Sequence, residues 1–132
     1  MLLILLFILI PGFAIAEDLK GIELVSVHDG DTIMVDIYNV PSIFGTRLSV
    51  RLQGIDAPEL NGKCEAEKTQ ALMAKSVLTS MLKQARRIEL ADVSRDKFFR
   101  VDAIVLADGV NLNDYLVKQG FARLYDGGTR TG

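Results

Sequence analysis

Four carboxylates lie in two short segments of the 132-residue sequence. Asp29 and Asp31 flank Gly30 in VHDGDT, and Asp56 and Glu59 belong to IDAPE. Each segment ends a predicted strand, so adjoining strand ends would bring several acids together. Such a cluster is stable only with a cation or with shifted pKa values. Carboxylate, carbonyl and water oxygens are the ligands of a hard divalent ion such as calcium, so the segments predict an oxygen-liganded metal site.

Two arginines flank the same region. Arg51 lies shortly before Asp56, and Arg100 ends the segment RDKFFR. A guanidinium group binds phosphate bidentately and stays protonated. A metal, a spare carboxylate that takes a proton from water and two arginines together form the set of groups that hydrolyses a phosphodiester. The combination therefore predicts phosphodiester hydrolysis.

Each of these residues also has a simpler interpretation. DGDT is common in tight turns, and Arg51 could be a solvated strand residue. Arg100 could pair with Asp96, and Glu59 could cap the region before the helix. The hydrolytic interpretation depends on all of these residues meeting in one place.

The segments around these residues show the period-two alternation of half-buried strands. Residues 20–37 are expected to form a strand pair, or one long bent strand, around the Asp-Gly-Asp turn. Residues 39–46 are expected to form a turn and 46–55 a strand. Residues 87–93 and 100–106 alternate in the same way and predict two further strands.

Helical spacing appears in two places. Apolar residues recur every three or four positions over residues 64–87, with Lys83, Arg86 and Arg87 expected in the last turn. Residues 111–120 predict a short helix closed by a glycine, and 121–125 could be a last short strand or an extended tail. This order favours an α+β, mainly β, fold: a five-stranded OB-fold barrel with a helix after the third strand and a short C-terminal helix. The periodicity alone also permits other α+β sheets.

Composition restricts the function further. The formal net charge is −2, so a nucleic-acid role would depend on local arginines rather than on an overall basic field. One cysteine and one histidine cannot build a zinc cluster. The length and the hydrophobic share of 49% predict one compact domain.

The first 16 residues are an uncharged apolar run that ends in Ala14-Ile15-Ala16. An apolar segment before an A-x-A motif is typical of a secretory signal peptide, here cleaved after Ala16. An uncleaved membrane anchor is the alternative, although the run is shorter than the roughly 20 residues of a spanning helix. We expect residues 1–16 to be a signal peptide and 17–132 the folded domain, secreted or periplasmic. Cys64 is then a lone thiol, either unpaired or paired with a cysteine in a chain that continues beyond Gly132.

Four segments, in order, resemble the staphylococcal nuclease (thermonuclease) family: VHDGDT, VRLQGIDAPE, DKFFR and DGVNLNDYLVKQGFARLY. The similarity covers roughly residues 21–125. It implies an OB-fold barrel and a secreted, calcium-dependent nuclease that cleaves DNA and RNA with low sequence specificity and leaves 3'-phosphates. It further implies a monomer without stable membrane association once the signal peptide is removed.

Position by position, the resemblance implies a role for each site residue. Asp31 and Asp56 match the calcium carboxylates, Ala57 the residue that offers its carbonyl to the metal, and Asp29 a nearby carboxylate. Glu59 matches the proposed general base, and Arg51 and Arg100 the two phosphate-contacting arginines; these three form the expected catalytic set. Phe98 is the expected substrate-binding ring.

Two positions depart from the family pattern. Phe98-Phe99 stand where the family usually has Tyr-Gly, so a hydroxyl is missing and Phe99 cannot adopt the backbone angles open to glycine. This leaves an alternative function, a catalytically impaired OB-fold module that binds nucleic acid or protein. A purely structural calcium-stabilised domain would need neither arginine.

Overall fold

The computed structural model describes residues 17–95 and 100–125. Eight strands and three helices follow one another along these residues. They are β1 (Glu17–Asp29), β2 (Thr32–Ile37), α1 (Ser42–Gly45), β3 (Leu48–Leu52), β4 (Ile55–Asp56), α2 (Glu65–Gln84), β5 (Ile88–Arg95), β6 (Val101–Ala107), β7 (Val110–Asn111), α3 (Leu112–Lys118) and β8 (Arg123–Leu124).

Five of the strands form a closed barrel. β1 pairs antiparallel with β2 and β5, β2 with β3, and β5 with β6. The parallel pairing of β3 with β6 closes the ring. β7 is an additional strand that pairs with β6 at the edge of the sheet, while β4 and β8 form a separate two-stranded sheet. The mainly β, OB-type barrel with a helix after the third long strand, predicted from the sequence, is confirmed.

Alternation along the strands fills the barrel interior. Every second residue of β2 and β6 is buried, and Val50 and Leu52 of β3 point into the same core. α2 packs against β1 and contributes Leu78 and Leu82 to this core. The apolar face predicted for the helix from its three- and four-residue spacing is the face that the barrel covers.

The helix ends earlier than the sequence predicted. α2 stops at Gln84 and Ala85 is extended, so the placement of Arg86 and Arg87 in the last turn was wrong. The backbone N–H groups of both arginines instead donate to the carboxylate of Asp108, at 2.9 Å in each case. These bonds tie the start of β5 to the turn after β6, and they hold the pKa of Asp108 below its usual value.

Two shorter segments add detail to the prediction. The expected turn at residues 39–46 contains the short helix α1. The segment 121–125, for which strand and tail were both open, contains the strand β8. Its pairing places Leu124 opposite Ile55 and Arg123 opposite Asp56, so this strand lies directly beside the IDAPE segment.

No helix among the described residues has the length and apolarity needed to span a membrane. The predicted signal peptide, residues 1–16, lies outside the described residues.

Candidate active site

The turn between β1 and β2 is held very close to the rest of the domain. A Cβ atom added to Gly30 would lie 2.7 Å from the Cβ of Ala74 on α2 and 2.8 Å from the Cβ of Ala57. Only glycine therefore fits between the two aspartates without displacing the helix or the segment after β4. The small residues Gly30, Ala57 and Ala74 let the Asp-Gly-Asp turn approach the segment after β4.

Asp31 is fixed at this contact. Its side chain is buried, and one carboxylate oxygen accepts a hydrogen bond from the backbone N–H of Ala57 at 2.9 Å. The other oxygen accepts from the hydroxyl of Thr32 at 2.9 Å. The carboxylate of Asp29 accepts from the backbone N–H of Asp31 at 3.1 Å. Both predicted aspartates of the turn thus lie at the site, with Asp31 facing the interior.

Burial disfavours the ionised form of Asp31. Removal from water raises the pKa of this carboxyl above its ordinary value, and the neighbouring Asp29 raises it further. The hydrogen bond from Ala57 opposes both effects without cancelling them. At neutral pH the ionised carboxylate therefore destabilises the folded chain unless a cation accompanies it.

Asp56 is the second buried carboxylate of the site, and two guanidinium groups approach it. The Nη2 of Arg123 donates to one oxygen at 3.3 Å, and Nη2 of Arg51 lies 4.0 Å from the other. Asp56 directly precedes Ala57, whose N–H contacts Asp31, so the two acids occupy neighbouring positions. Two buried carboxylates and two cations are therefore gathered around β4.

Arg51 is held in place by three neighbours. Its Nη2 donates to the carbonyl of Ile55 at 3.1 Å, and its guanidinium carbon lies 5.4 Å from the ring centre of Tyr125. On β3 it pairs with Thr32, the residue whose hydroxyl contacts Asp31. A guanidinium held in this way is preorganised for a bidentate anion, because fewer rotamers are lost on binding.

Glu59 and Arg100 lie at the margin of this group. Glu59 is exposed, and with Asp56 and Ala57 it lines a cleft of about 590 Å³. Arg100 is also exposed and directly precedes Val101, which pairs with Val50 beside Arg51. Phe98, the expected substrate-binding ring, lies outside the described residues.

The structure thus gathers Asp31, Asp56, Ala57 and Arg51, with Glu59 on the adjoining cleft. Within residues 17–95 and 100–125, however, no group of three or more acids, histidines or cysteines is placed to hold a metal. The convergence of several carboxylates expected from the sequence is limited to two buried acids at the contact around Ala57.

Sequence reasoning missed three residues that support the site. Arg123 and Tyr125 contact Asp56 and Arg51 from β8 and the residue after it, and a short strand there was only one of two options. Asn113 is buried on α3, where its amide donates to the carbonyl of Gln53 at 2.9 Å and fixes the turn before β4. Asn113 could have been identified from the sequence as a polar residue on the buried face of an amphipathic helix.

Residues 49–131 match the family described as staphylococcal nuclease homologue. The chain belongs to this family. The matched range includes Arg51, Asp56, Glu59 and Arg100, while Asp31 lies before it.

A relative with a curated description is similar over a longer stretch. A protein of Haemophilus influenzae named an uncharacterized endonuclease is 34% identical over 113 residues, which is 85% of this chain. The chain spans 56% of that protein's length.

Gly30→Ala tests the close approach at the turn. The added methyl group would overlap Ala74 and Ala57, so we expect a loss of about 1–3 kcal/mol in the free energy of unfolding, measured by urea denaturation. Adding Ala57→Gly removes one of the two contacts and should recover part of that loss in a double-mutant cycle. A Gly30→Ala variant as stable as the wild type would contradict the close approach.

Asp31→Asn tests the cost of the buried charge. The raised pKa means that this carboxyl binds a proton more readily in the folded than in the unfolded chain, so its unfavourable contribution to wild-type stability should diminish as the pH falls from 7 towards the ordinary value of 3.8. In chelator at pH 7 the variant should be more stable than the wild type by on the order of 1 kcal/mol, and the difference should shrink with falling pH. Urea denaturation at several pH values measures this, and a less stable variant at pH 7 would contradict it.

Proposed function

We propose that this chain is an exported, metal-dependent nuclease that hydrolyses phosphodiester bonds in DNA and RNA. The observation that carries the proposal is the pair of buried carboxylates, Asp31 and Asp56, beside the fixed guanidinium of Arg51. Membership of the staphylococcal nuclease homologue family and the similarity to a protein named an endonuclease both support it.

The donor atoms of the site suit a hard divalent cation. Asp31 and Asp56 would supply carboxylate oxygens, and Ala57, whose N–H contacts Asp31, would supply its backbone carbonyl. A carboxylate has about four lone-pair positions, and the hydrogen bonds from Thr32 and Ala57 use two of those on Asp31. Calcium takes 6–8 oxygens, so water and a substrate phosphate would complete a shell begun by these residues. We propose calcium as the cofactor.

When bound, such an ion polarises the phosphate and lowers the cost of the anionic transition state. Arg51 would add a bidentate contact to the equatorial oxygens of the same phosphate, because its position is already fixed by Ile55 and Tyr125. Arg100, exposed at the start of the neighbouring strand, would supply the second such contact.

Glu59 is the residue proposed to take a proton from the attacking water. It is exposed to solvent and shares a cleft with Asp56 and Ala57, so water can reach it beside the metal-binding oxygens. Attack at phosphorus with departure of the 5'-oxygen leaves a 3'-phosphate, the outcome that the family resemblance implies. Contacts of this kind address the phosphate and not the base, which favours low sequence specificity.

The proposal includes export. An uncharged apolar run followed by Ala14-Ile15-Ala16 supports cleavage after Ala16 and a secreted or periplasmic location.

A catalytically impaired binding module is a second candidate. Two observations favour it: the described residues contain no cluster of three or more metal-binding side chains, and Phe98-Phe99 replace Tyr-Gly. This module would keep affinity for nucleic acid or protein without hydrolysis.

Digestion of single-stranded DNA and RNA distinguishes the two candidates. With calcium we expect cleavage to products that carry 3'-phosphates, and with chelator none. Glu59→Gln should lower kcat about a hundred- to ten-thousandfold, because proton transfer contributes a factor of that size. Glu65→Gln, at an exposed carboxylate in the first turn of α2, is the matched control and should act like the wild type.

One result would contradict the nuclease proposal, and another would contradict the role of Glu59. Binding without cleavage in excess calcium would support the binding module, and restored cleavage in Phe99→Gly would locate the fault at that position. Equal activity of Glu59→Gln and Glu65→Gln would show that Glu59 is not the base.

A further inference from the structure

The loop between β2 and β3 exposes two large apolar side chains. Ile43 is 85% exposed and Phe44 63% exposed, both on the short helix α1. Large apolar side chains that adjoin one another at the surface commonly mark a binding surface.

The loop holds these side chains in a defined conformation. The backbone N–H of Arg47 donates to a carboxylate oxygen of Asp36 at 2.7 Å, which fixes the end of the loop to β2. Gly45 is buried, and a Cβ atom there would lie 2.6 Å from the carbonyl oxygen of Ile37. Phe44 is therefore presented by a tightly packed turn, and little ordering entropy would be lost when it binds a ligand.

The same loop leads directly into the strand that carries Arg51. Val50 and Leu52 of β3 are buried, so Ser49 and Arg51 point away from the core by the alternation of the strand, and the Arg51 side chain keeps 12% of its surface exposed. Arg47 lies directly before β3 and precedes Arg51 by four residues, which corresponds to at most about 13 Å of extended chain. Barrels of this type cover about four or more nucleotides of a single strand, so Arg51 and the loop lie within reach of one bound chain.

Positive charge follows the same path. Arg47 is exposed at the end of the loop, and Arg100 is exposed immediately before β6. β6 runs parallel to β3 and pairs with it from Val50 onward, so both arginines lie at the strand-start end of the β3–β6 pair. The carboxylate of Asp36 is also nearby, but it already accepts the N–H of Arg47.

We infer that the loop of residues 41–47 and the outward face of β3 extend the active site into a binding track for single-stranded nucleic acid. In this track Phe44 stacks against a base and Arg47 contacts a phosphate, on the loop side of the scissile bond. Aromatic stacking beside cationic side chains is the arrangement that binds single strands without sequence preference. The inference rests on the proposed function, because it assigns the substrate form and an additional contact region of that site.

Oligothymidylates of three and ten nucleotides, labelled with fluorescein, provide the test. Binding is measured by anisotropy in calcium with Glu59→Gln as the background chain. Phe44→Ala should raise the Kd of the ten-mer about tenfold and that of the trimer much less, because only the longer strand reaches the loop. Phe44→Tyr, which keeps the ring, should restore the ten-mer affinity. Arg47→Ala should lower the slope of log K against log salt by about 0.7 for the ten-mer.

Leu72→Ala is the matched control, since Leu72 is 59% exposed on α2 and lies outside the track. A ten-mer affinity that Phe44→Ala leaves unchanged, or lowers no more than Leu72→Ala does, overturns the inference. It is also overturned if Phe44→Ala affects only binding to phosphatidylglycerol vesicles or self-association, which would assign the loop to a lipid surface or to a second copy.

Failure of the inference can be told from failure of the proposed function. If the wild-type chain cleaves single-stranded DNA while Phe44→Ala keeps the preference for the longer strand, only the inference fails. If the chain binds the ten-mer through Phe44 but cleaves nothing, the track is supported and catalysis is rejected. If neither oligonucleotide binds, both are rejected.

Discussion

The contact between the Asp31 carboxylate and the Ala57 N–H determines the geometry of this site. It joins two chain segments that are 26 residues apart and places the carboxylates of Asp31 and Asp56 in one buried region. The contact is possible because Gly30 lacks a Cβ atom, which would lie 2.7 Å from the Cβ of Ala74 and 2.8 Å from that of Ala57. The fold thereby buries the Asp31 carboxyl group and raises its pKa. A bound cation would offset the free-energy cost of keeping this group ionised.

The end of the described chain completes the same site. β8 pairs with β4, Arg123 contacts the Asp56 carboxylate, and the Tyr125 ring lies against the Arg51 guanidinium. Asp56 is therefore contacted by a residue 67 positions later in the sequence, and Arg51 by the residue that follows the same strand. The barrel positions the strand ends, and β8 with the residue after it fixes the orientation of the Arg51 and Asp56 side chains.

Sequence patterns predicted the elements well and their contacts less well. Alternation in β2, β3 and β6 identified the strands because one face of each is buried in the core. The end of α2 was misplaced because the bonds from Arg86 and Arg87 to Asp108 depend on tertiary contacts that helical periodicity does not encode. For the same reason the contact of Arg123 with Asp56 was not foreseen, whereas motif spacing and family resemblance together indicated Asp31, Asp56 and Arg51.

Calcium titration by calorimetry tests the central claim most directly, namely that the two buried carboxylates form one cation site. The wild-type chain should bind one ion per molecule, with higher affinity when a nucleotide phosphate is present, and Asp31→Asn should abolish the binding heat while the chain stays folded. Unchanged calcium binding in Asp31→Asn, or no ion bound by the wild type with or without the nucleotide, would contradict the account.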